Sequence, residues 1–383
     1  MTLITTTAAL SAFVERLRGQ PYVTVDTEFM RDRTFGPKLC LVQLAGAGEA
    51  VAVDPLAPGI DLAPLVALMD DPTILKVMHA ARQDLEIFFR LAGRLPEPFY
   101  DTQIAAMVCG FGEEVAYETL VNEIARARLD KASRFTDWAR RPLSPAQLAY
   151  AIGDVTHLRT IYEQLSRRIA AAGRESWVAE ELRYLLDPML YQPDPADAWR
   201  RLKPRTRDRR FLAIVQRLAA WRERVAQQRD LPRNRVLRDD LVLEIAASRP
   251  TTVEALRALE RVSLDRGSAQ AVVAEIAAAL ALPEAALPVI EPPRHLPRGV
   301  GPLIELLRVL LKLRAEENDV AQRLLANGDE LEAIALDDDA DVPALKGWRR
   351  EIFGKDALAL KRGEITLGVR NRRTAVIPVA PCA

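Results

Sequence analysis

The segment YVTVDTEF (Tyr22–Phe29) decides how the first part of this chain folds. Its β-branched and aromatic residues are typical of a β-strand. The two-residue period of a strand puts Thr24, Asp26 and Glu28 on one face. Two carboxylates placed in this way can bind the same metal ion. The alternative is an edge strand whose acidic face is solvated, and the flanking sequence has to decide between the two.

The segments that follow predict a mixed sheet. Turn signals such as FGPK and AGAG separate the first three β-like runs, which indicates hairpins. After them, strand-like and helical patterns alternate. A meander followed by alternation favours a sheet with helices on its faces. The predicted elements are strands Tyr22–Phe29, Lys38–Leu44, Glu49–Asp54, Ile74–His79 and Phe99–Asp101, with helices from Arg82 to Leu91 and from Thr102.

A third carboxylate, Asp84, follows an apolar strand within HAARQDLEIFF (residues 79–89). It lies in the first turn of the predicted helix, where the helix dipole favours a negative charge. Two interpretations therefore stay open: Asp84 binds a metal ion, or it caps the helix. His79 is expected to be a core residue or an outer neighbour of the site, and not a ligand.

The stretch PLSPAQLAYAIGDVTHL (residues 142–158) predicts a helix with a defined start. Ser144 at the N-cap, Pro145 at the first position and Gln147 three residues on form a capping-box pattern. The apolar stripe expected from this phase is Leu148, Ile152, Val155, Tyr162 and Leu165. Tyr150 and Asp154 then lie on the far side together with His157, either exposed to solvent or covering the acidic face of the sheet.

Carboxylates that converge from three segments at the edge of a folded core raise the free energy of the folded state unless cations neutralise them. Oxygen-only ligand sets suit Mg²⁺ or Mn²⁺, and a pair of such ions is common machinery for cleaving phosphodiesters. A neutral phenol is a poor base near pH 7 because its ordinary pKa is about 10. Tyr150 is therefore predicted to orient the attacking water, with proton acceptance as a secondary possibility.

Composition limits the remaining function classes. The chain has 383 residues, 49% of them hydrophobic, and a net charge of zero, so no global basic field indicates a nucleic-acid partner. Three cysteines without a CxxC pair and three histidines argue against structural zinc and disulfides. The start lacks a signal-peptide pattern and no apolar run is long enough to span a bilayer. The sequence predicts a cytoplasmic protein without a membrane partner.

The remainder of the chain reads as two helical modules. RRLKPRTRDRR (Arg200–Arg210) and PVIEPPRHLPRGVGP (Pro288–Pro302) are the natural linkers. The predicted organisation is a mixed strand-and-helix block at residues 1–190, helical modules at 205–287 and 298–370, and a loose tail at 371–383.

The order VDTEF, HxxxxD and YxxxD resembles the DEDD exonuclease superfamily in its tyrosine-bearing branch. LCLVQLA, FYDTQIAA and LDKASRFTDWARRPLSPAQLAYAIGDVTHL are similar to the ribonuclease D family over essentially the whole first block. FLAIVQRLAAWRERVAQQRDLPRNRVLRDDLVLEIAASRPTTVEAL resembles an HRDC domain. A second, divergent HRDC-like module would occupy the later helical region.

The resemblance implies an α/β fold: a ribonuclease H-like, mixed-sheet exonuclease domain followed by two all-α HRDC-like domains. It implies a 3′–5′ exoribonuclease that releases nucleoside 5′-monophosphates from tRNA precursors and other small structured RNAs, working as a monomer with two Mg²⁺ or Mn²⁺ ions. The family's metal-binding acids match Asp26, Glu28, Asp84 and Asp154, and its tyrosine matches Tyr150. A 3′–5′ DNA exonuclease and a non-catalytic RNA-binding protein that retains the fold are the alternatives.

Candidates for RNA contact are less specific. Phe29 and Phe35 lie near the first motif and could stack terminal bases, although core positions fit them equally well. Arg200–Arg210 carries seven cations against one anion, which predicts either a phosphate track or a solvated linker. Arginines that could extend the track are Arg222, Arg224, Arg229, Arg233, Arg235 and Arg238.

Overall fold

The computed structural model describes residues 2–129, 136–290 and 296–379. Residues 130–135 of the LDKASRF motif, part of the proline-rich linker and the end of the expected tail lie outside these ranges. Within the described ranges, no helix combines the length and apolar character that a membrane crossing requires.

A six-stranded sheet in the order β1-β4-β3-β2-β5-β6 forms the centre of the first domain. β2, β3 and β4 pair antiparallel as a meander, and β2–β5, β5–β6 and β1–β4 pair parallel, so the predicted mixed sheet is confirmed. β1 was not predicted, since three residues are too few to show a period. The strands are β1 Thr2–Ile4, β2 Tyr22–Met30, β3 Lys38–Ala45, β4 Ala50–Val53, β5 Leu75–Met78 and β6 Phe99–Asp101.

Helices cover this sheet. Val23 and Val25 of β2 share a hydrophobic core with Leu10 and Phe13 of α1 and Phe88 of α3, while α6 contacts the sheet at β2, β3 and β4. The helices of this part are α1 Thr7–Leu17, α2 Ala63–Asp70, α3 Arg82–Ala92, α4 Thr102–Val108, α5 Tyr117–Leu120, α6 Pro145–Ala171 and α7 Glu175–Leu185.

α6 begins as predicted, with the capping box between Ser144 and Gln147 and Pro145 in the first turn. The predicted stripe is wrong in part. Leu148 and Ile152 are only half-buried, while Ala151, Asp154, Val155, Leu158, Ile161 and Leu165 are buried. Asp154 thus lies on the buried side of α6 and not opposite it. The reason is that the sheet itself covers the polar positions that an isolated helix would leave in water.

The first helical module has a hydrophobic core of its own. Trp199, in a 3₁₀ segment at Pro195–Leu202, packs with Leu212 and Leu218 of α8 and with residues of α10 and α12. The helices are α8 Arg209–Gln228, α9 Arg233–Val236, α10 Asp239–Ser248, α11 Val253–Arg257 and α12 Arg266–Leu280.

The second helical module shares its core with the first domain. The rings of Trp177 and Trp348 stack with centroids 4.2 Å apart, and the amide of Ala321 donates to the carbonyl of Met107 at 2.9 Å. Its helices are α13 Val300–Glu317, α14 Gln322–Leu325, α15 Gly328–Leu336, α16 Gly347–Arg349 and α17 Lys355–Lys361.

A β-hairpin follows α17, so the end of the chain is neither all-helical nor loose as expected. β7 (Ile365–Arg370) pairs antiparallel with β8 (Arg373–Pro378). The strand β7, ITLGVR, does alternate apolar and polar residues, but β8, RTAVIP, shows no two-residue period, so the sequence does not indicate a pair of strands here. Residues 380–383 of the expected tail lie outside the described ranges.

Candidate active site

β2 brings the first two carboxylates to the face that α6 covers. Thr24 on this face donates its hydroxyl to the carbonyl of Val155 in α6, at 2.8 Å. β2 lies between β3 and β5, which excludes the edge-strand interpretation of its acidic face. A bulge between Glu28 and Phe29 alters the register at the end of the strand, a feature that often re-aims side chains at a site.

Asp26, Glu28 and Asp154 form one group. Each offers a carboxylate oxygen that lies within 4.8 Å of the others, and Asp154 is only 9% exposed. Two elements distant in sequence therefore present three acids to one point; the two-residue spacing predicted this for Asp26 and Glu28, and the family resemblance for Asp154. Such an all-oxygen donor set fits Mg²⁺ or Mn²⁺.

Asp84 lies beside this group without belonging to it. It occupies the first turn of α3, it is 7% exposed, and its carboxylate accepts a hydrogen bond from the hydroxyl of Thr27. Its position fits both interpretations made from the sequence, since an acid in the first turn of a helix also interacts favourably with the dipole.

The electrostatics of the acids favour a bound cation. Burial, and then the charge of Asp154, raise the pKa of Asp26 well above its usual range. Burial, and then the charge of Asp26, do the same for the pKa of Asp84. Among the described residues neither Asp26 nor Asp84 has an ion pair with an arginine or lysine. A divalent ion would remove this repulsion, so the residues present fit the ions that the sequence predicts.

Tyr150 lies one helical turn before Asp154. Its half-buried ring packs near Trp138, with centroids 6.2 Å apart and an interplanar angle of 36°. Tyr150 thereby packs against a small hydrophobic cluster that includes Trp138 and Leu41 of β3. The assignment of Tyr150 to the attacking water remains a prediction.

Tyr117 supports the site and was missed in the sequence. Its hydroxyl donates to the carbonyl of Asp154 at 2.7 Å and contacts the carbonyl of Gly153 at 3.2 Å. Burial, followed by the charges of Asp154 and Asp26, raises the pKa of this phenol above its ordinary value. No local sequence signal distinguishes it, because its partners are backbone atoms of a distant helix.

Asp101, in the FYDT motif, shapes the turn that precedes Asp84. Its carboxylate accepts hydrogen bonds from the amides of Ala80, at 3.1 Å, and Ala81, at 2.9 Å. Ala80 is in the left-handed region with a φ of 53°, a conformation that this buried acid stabilises. His79, next in the same turn, contacts the hydroxyl of Thr102 at 3.0 Å, and burial lowers its pKa. His79 is half-buried, and its ring contacts that of Tyr117 with centroids 5.4 Å apart, which fits an outer neighbour of the site.

The arginines of the first helical module mostly contact carboxylates of that module. Arg222 is buried and donates to Asp239 at 2.6 Å, so it does not face a substrate and that expectation was wrong. Within the described ranges Arg235 has no ion pair with a carboxylate. The pairs are Arg201–Glu223, Arg224–Glu275, Arg229–Asp265, Arg233–Glu223 and Arg238–Asp240.

The loop after β2 meets this module. The amide of Phe35 donates to Asp230 at 3.1 Å, and the guanidinium of Arg233 lies 4.4 Å from the centre of the Phe35 ring. A cavity of about 1110 Å³ adjoins this contact, and Arg82 and Gln83 at the start of α3 line it. Basic residues outnumber acidic ones in its walls.

Comparison with known proteins assigns two parts of the chain to families. A family model described as a 3′–5′ exonuclease matches residues 1–170, and the HRDC domain model matches residues 211–271. Ribonuclease D of Gluconacetobacter diazotrophicus is 52% identical over 381 residues, which covers 98% of this chain and 96% of the relative. Ribonuclease D of Granulibacter bethesdensis is 49% identical over 382 residues, with coverages of 98% and 96%.

A solved structure extends the similarity to the whole fold. The crystal structure of Escherichia coli RNase D, described as an exoribonuclease involved in structured RNA processing, is similar with a TM-score of 0.78 and 32% identity. The match covers 94% of this chain and 98% of that chain.

Proposed function

The chain belongs to the ribonuclease D family and is a 3′–5′ exoribonuclease, and we propose that it matures the 3′ ends of tRNA precursors through Asp26, Glu28, Asp84, Asp154 and Tyr150. The observation that carries the residue assignment is the approach of three carboxylates to within 4.8 Å of one another. The alternatives of a DNA exonuclease and of a non-catalytic protein find no support in the relatives. RNA is its substrate, and it uses divalent metal ions.

In this proposal the acids divide into two roles. Asp26, Glu28 and Asp154, whose oxygens lie within 4.8 Å of one another, would share one ion, and Asp84, whose charge interacts with that of Asp26, would contribute to the second. Divalent ions, when bound, supply the positive charge that activates water and stabilises the leaving 3′ oxygen in phosphodiester cleavage. Mg²⁺ and Mn²⁺ fit the donor set equally well.

Tyr150 and Tyr117 act in different ways. Tyr150 is proposed to orient the attacking water by its hydroxyl, because it lies one turn from Asp154 on the same helix. Tyr117 is a positioning residue, since its hydroxyl donates to the backbone carbonyls of Asp154 and Gly153. Thr27 and Asp101 position Asp84 in the same sense.

The substrate path is proposed to follow the cavity next to Gln83. Gln83 precedes Asp84 in sequence, and Arg82 and Arg90 line the cavity together with Arg201 and Arg233 of the HRDC module. Cations along a groove contact phosphates without reading bases, which suits an enzyme that removes nucleotides one after another. Phe35 lines the same cavity and could stack a base.

The organisation of the chain is part of the proposal. The separate core of the first helical module supports an HRDC domain at about 205–287, and the shared core of the last module supports a divergent HRDC-like unit at about 298–370. The exonuclease domain would span residues 1–190. A monomer and a cytoplasmic location remain predictions from the sequence.

A digestion of 3′-extended tRNA tests the substrate assignment. With Mg²⁺ or Mn²⁺ we expect shortening in single-nucleotide steps that stop near the mature end, and no reaction in EDTA. A DNA oligomer of matched sequence should be degraded far more slowly. Equal rates on RNA and DNA, or digestion that runs through the mature end, would contradict the tRNA proposal while leaving metal-dependent exonuclease activity intact.

A further inference from the structure

The C-terminal hairpin has an anchored base and a free tip. Ile365, Leu367 and Val376 pack against the core that the last module shares with the exonuclease domain. Toward the tip the strands leave this core, and Val369 is 76% exposed. The hairpin is thus a short ribbon that projects from a rigid support.

Three arginines form the tip: Arg370 and Arg373, which pair across the two strands, and Arg372 in the turn. Like charges directly opposite each other destabilise a hairpin. Within the described part of the chain, none of the three has an ion pair or a side-chain hydrogen bond with a carboxylate. By contrast, Arg362, the nearest arginine before the hairpin, donates a hydrogen bond to the carboxylate of Asp338 at 2.9 Å.

The backbone of the turn is a second destabilising feature of the tip. Asn371 and Arg372 both have positive φ, 51° and 63°, as a two-residue turn with the twist of a hairpin requires. Asparagine suits its position, but glycine is the residue that suits the second one. Arginine at residue 372 therefore strains the backbone in order to place a third cation at the tip.

The surroundings define a groove. Arg372 and Arg373 line a cavity of about 690 Å³ against α13, together with Lys312, Glu316 and Glu317. Both glutamates are engaged within α13: Glu317 accepts a hydrogen bond from Arg314, and Glu316 lies 4.0 Å from Lys312. The groove therefore presents free positive charge at the hairpin side.

We propose that the hairpin tip and this groove bind phosphates in the structured body of the RNA substrate, upstream of the 3′ end. Three cations that lack protein carboxylates complement a polyanion, and the chain's overall charge of zero leaves such contacts to local patches. The tip has no aromatic residue for stacking bases, so it contacts the backbone of the RNA and not its sequence. This inference rests on the exoribonuclease function.

The hairpin lies outside the proposed active site. It follows α17 and provides none of the acids, which come from β2, α3 and α6. We therefore expect it to affect the affinity for long structured RNA and not the chemical step. Short single strands, which have no structured body for the tip to bind, should not respond to it.

The test compares two triple variants of the full chain with equal loss of charge. One carries Arg370→Gln, Arg372→Gln and Arg373→Gln. The control carries Arg308→Gln, Lys355→Gln and Arg362→Gln, which remove cations of the same module that pair with Glu305, Glu351 and Asp338. Binding of 3′-extended tRNA is measured in EDTA across a salt series, and cleavage of a pentaribonucleotide is measured in Mg²⁺.

For the tip variant we expect the Kd for tRNA to rise about tenfold and the salt slope to fall by roughly three, since each of the three lost phosphate contacts removes about one unit of slope. Cleavage of the pentaribonucleotide and all values for the control should match wild type. Unchanged tRNA binding would overturn the proposal and leave an acidic protein as the better partner for the tip. An equal loss on the short RNA would overturn it as well.

A single substitution separates binding from folding. Arg372→Gly relieves the left-handed strain, so it should leave thermal stability unchanged or raise it, while lowering the salt slope by about one. Greater stability with undiminished RNA binding would refute a role for this arginine. If the wild type cleaved no RNA at all with metal, the exoribonuclease function itself would fail, which is a different result from either of these.

Discussion

Asp84 in the exonuclease domain and Glu223 in the HRDC domain are both buried carboxylates, 7% and 1% exposed, with opposite electrostatics. Glu223 accepts hydrogen bonds from Arg233 at 2.6 and 2.5 Å and from Arg201 at 3.3 Å. Burial alone would raise the pKa of Glu223, but these guanidinium groups lower it below its usual value. Burial and the neighbouring charge of Asp26 instead raise the pKa of Asp84.

The difference separates structural acids from those that act on a substrate. Both positions cost desolvation energy, and Glu223 recovers it from Arg233 and Arg201. Among the described residues no lysine or arginine pairs with Asp26 or Asp84, and divalent ions from solution would supply the compensation. Burial of an acid is therefore weak evidence of function, whereas burial without a protein cation is strong evidence. Substitutions among the acids around Asp26, or at Glu223, can therefore test this difference.

The largest effect is expected for Asp154→Asn, which keeps the shape of the side chain and removes one negative charge from the group of three. Loss of a metal ligand should lower kcat by about 10³-fold or more, equivalent to about 4 kcal/mol. The fold should persist, since the change reduces repulsion with Asp26. Single-turnover cleavage with and without Mg²⁺, and circular dichroism, measure the two parts.

Asp341→Asn is the matched control for Asp154→Asn, because Asp341 is exposed and pairs only with Lys346 among the described residues. It should cleave RNA at the wild-type rate. If Asp154→Asn kept more than a tenth of the wild-type kcat, the assignment of Asp154 as a ligand would be wrong.

The reverse change, Glu223→Gln, should act on stability and not on chemistry. It leaves two arginines without their shared carboxylate, and both are partly exposed, so the unfolding free energy should fall by about 1–3 kcal/mol. Urea denaturation measures this change. Glu284→Gln, at an exposed acid that also contacts two arginines, should cost less than about 0.5 kcal/mol. Equal losses of unfolding free energy in Glu223→Gln and Glu284→Gln would contradict the expected difference between a buried and an exposed acid.

The contributions of Asp26 and Glu223 to the stability of the fold should also change with pH in opposite directions. The pKa of Asp26 is raised in the folded protein, so stability from this group is present below its ordinary value of 3.8 and is lost as pH rises. Without metal, Asp26→Asn should therefore gain thermal stability over wild type by a few degrees, and the gain should grow from pH 4 to pH 7.

The stability that Glu223 contributes changes with pH in the opposite direction. Its pKa is lowered, so its contribution is present above its ordinary value of 4.5 and is lost as pH falls. The deficit of Glu223→Gln should thus shrink below pH 4.5. Adding Mg²⁺ at pH 7.5 should raise the melting temperature of wild type and not that of Asp26→Asn. A parallel pH profile for both variants would contradict the electrostatic assignment.

The sequence predicted the strands and the acids but not what supports them. β2 to β6 were found because each has a clear period or is bounded by turn residues, and the capping box located the start of α6. The group of three acids followed from the two-residue spacing in β2 and from the family pattern. Local sequence could not show which side of α6 meets the sheet, since Asp154 is polar and yet buried.

Long-range polar contacts account for most of what was missed. The carboxylates that engage Arg222 and Arg233 come from elsewhere in the module, so a run of arginines looked like a free basic surface. Tyr117 was passed over for the same reason, because its hydroxyl meets backbone atoms 36 and 37 residues away. Partners of this kind are set by tertiary packing.

The smallest effect is expected at Tyr117, which tests whether the acidic side needs protein support as well as metal. Tyr117→Phe removes the hydrogen bond to the carbonyl of Asp154 and leaves the ring in the core. A loss of about 1 kcal/mol in the positioning of α6 should lower kcat about fivefold with little change in KM. Tyr184→Phe, at a ring that is 61% exposed, is the control. Because Tyr117 touches carbonyls and not carboxylates, excess Mg²⁺ should not restore the rate; restoration by metal would mean that the phenol acts on ion affinity instead of on the placement of Asp154.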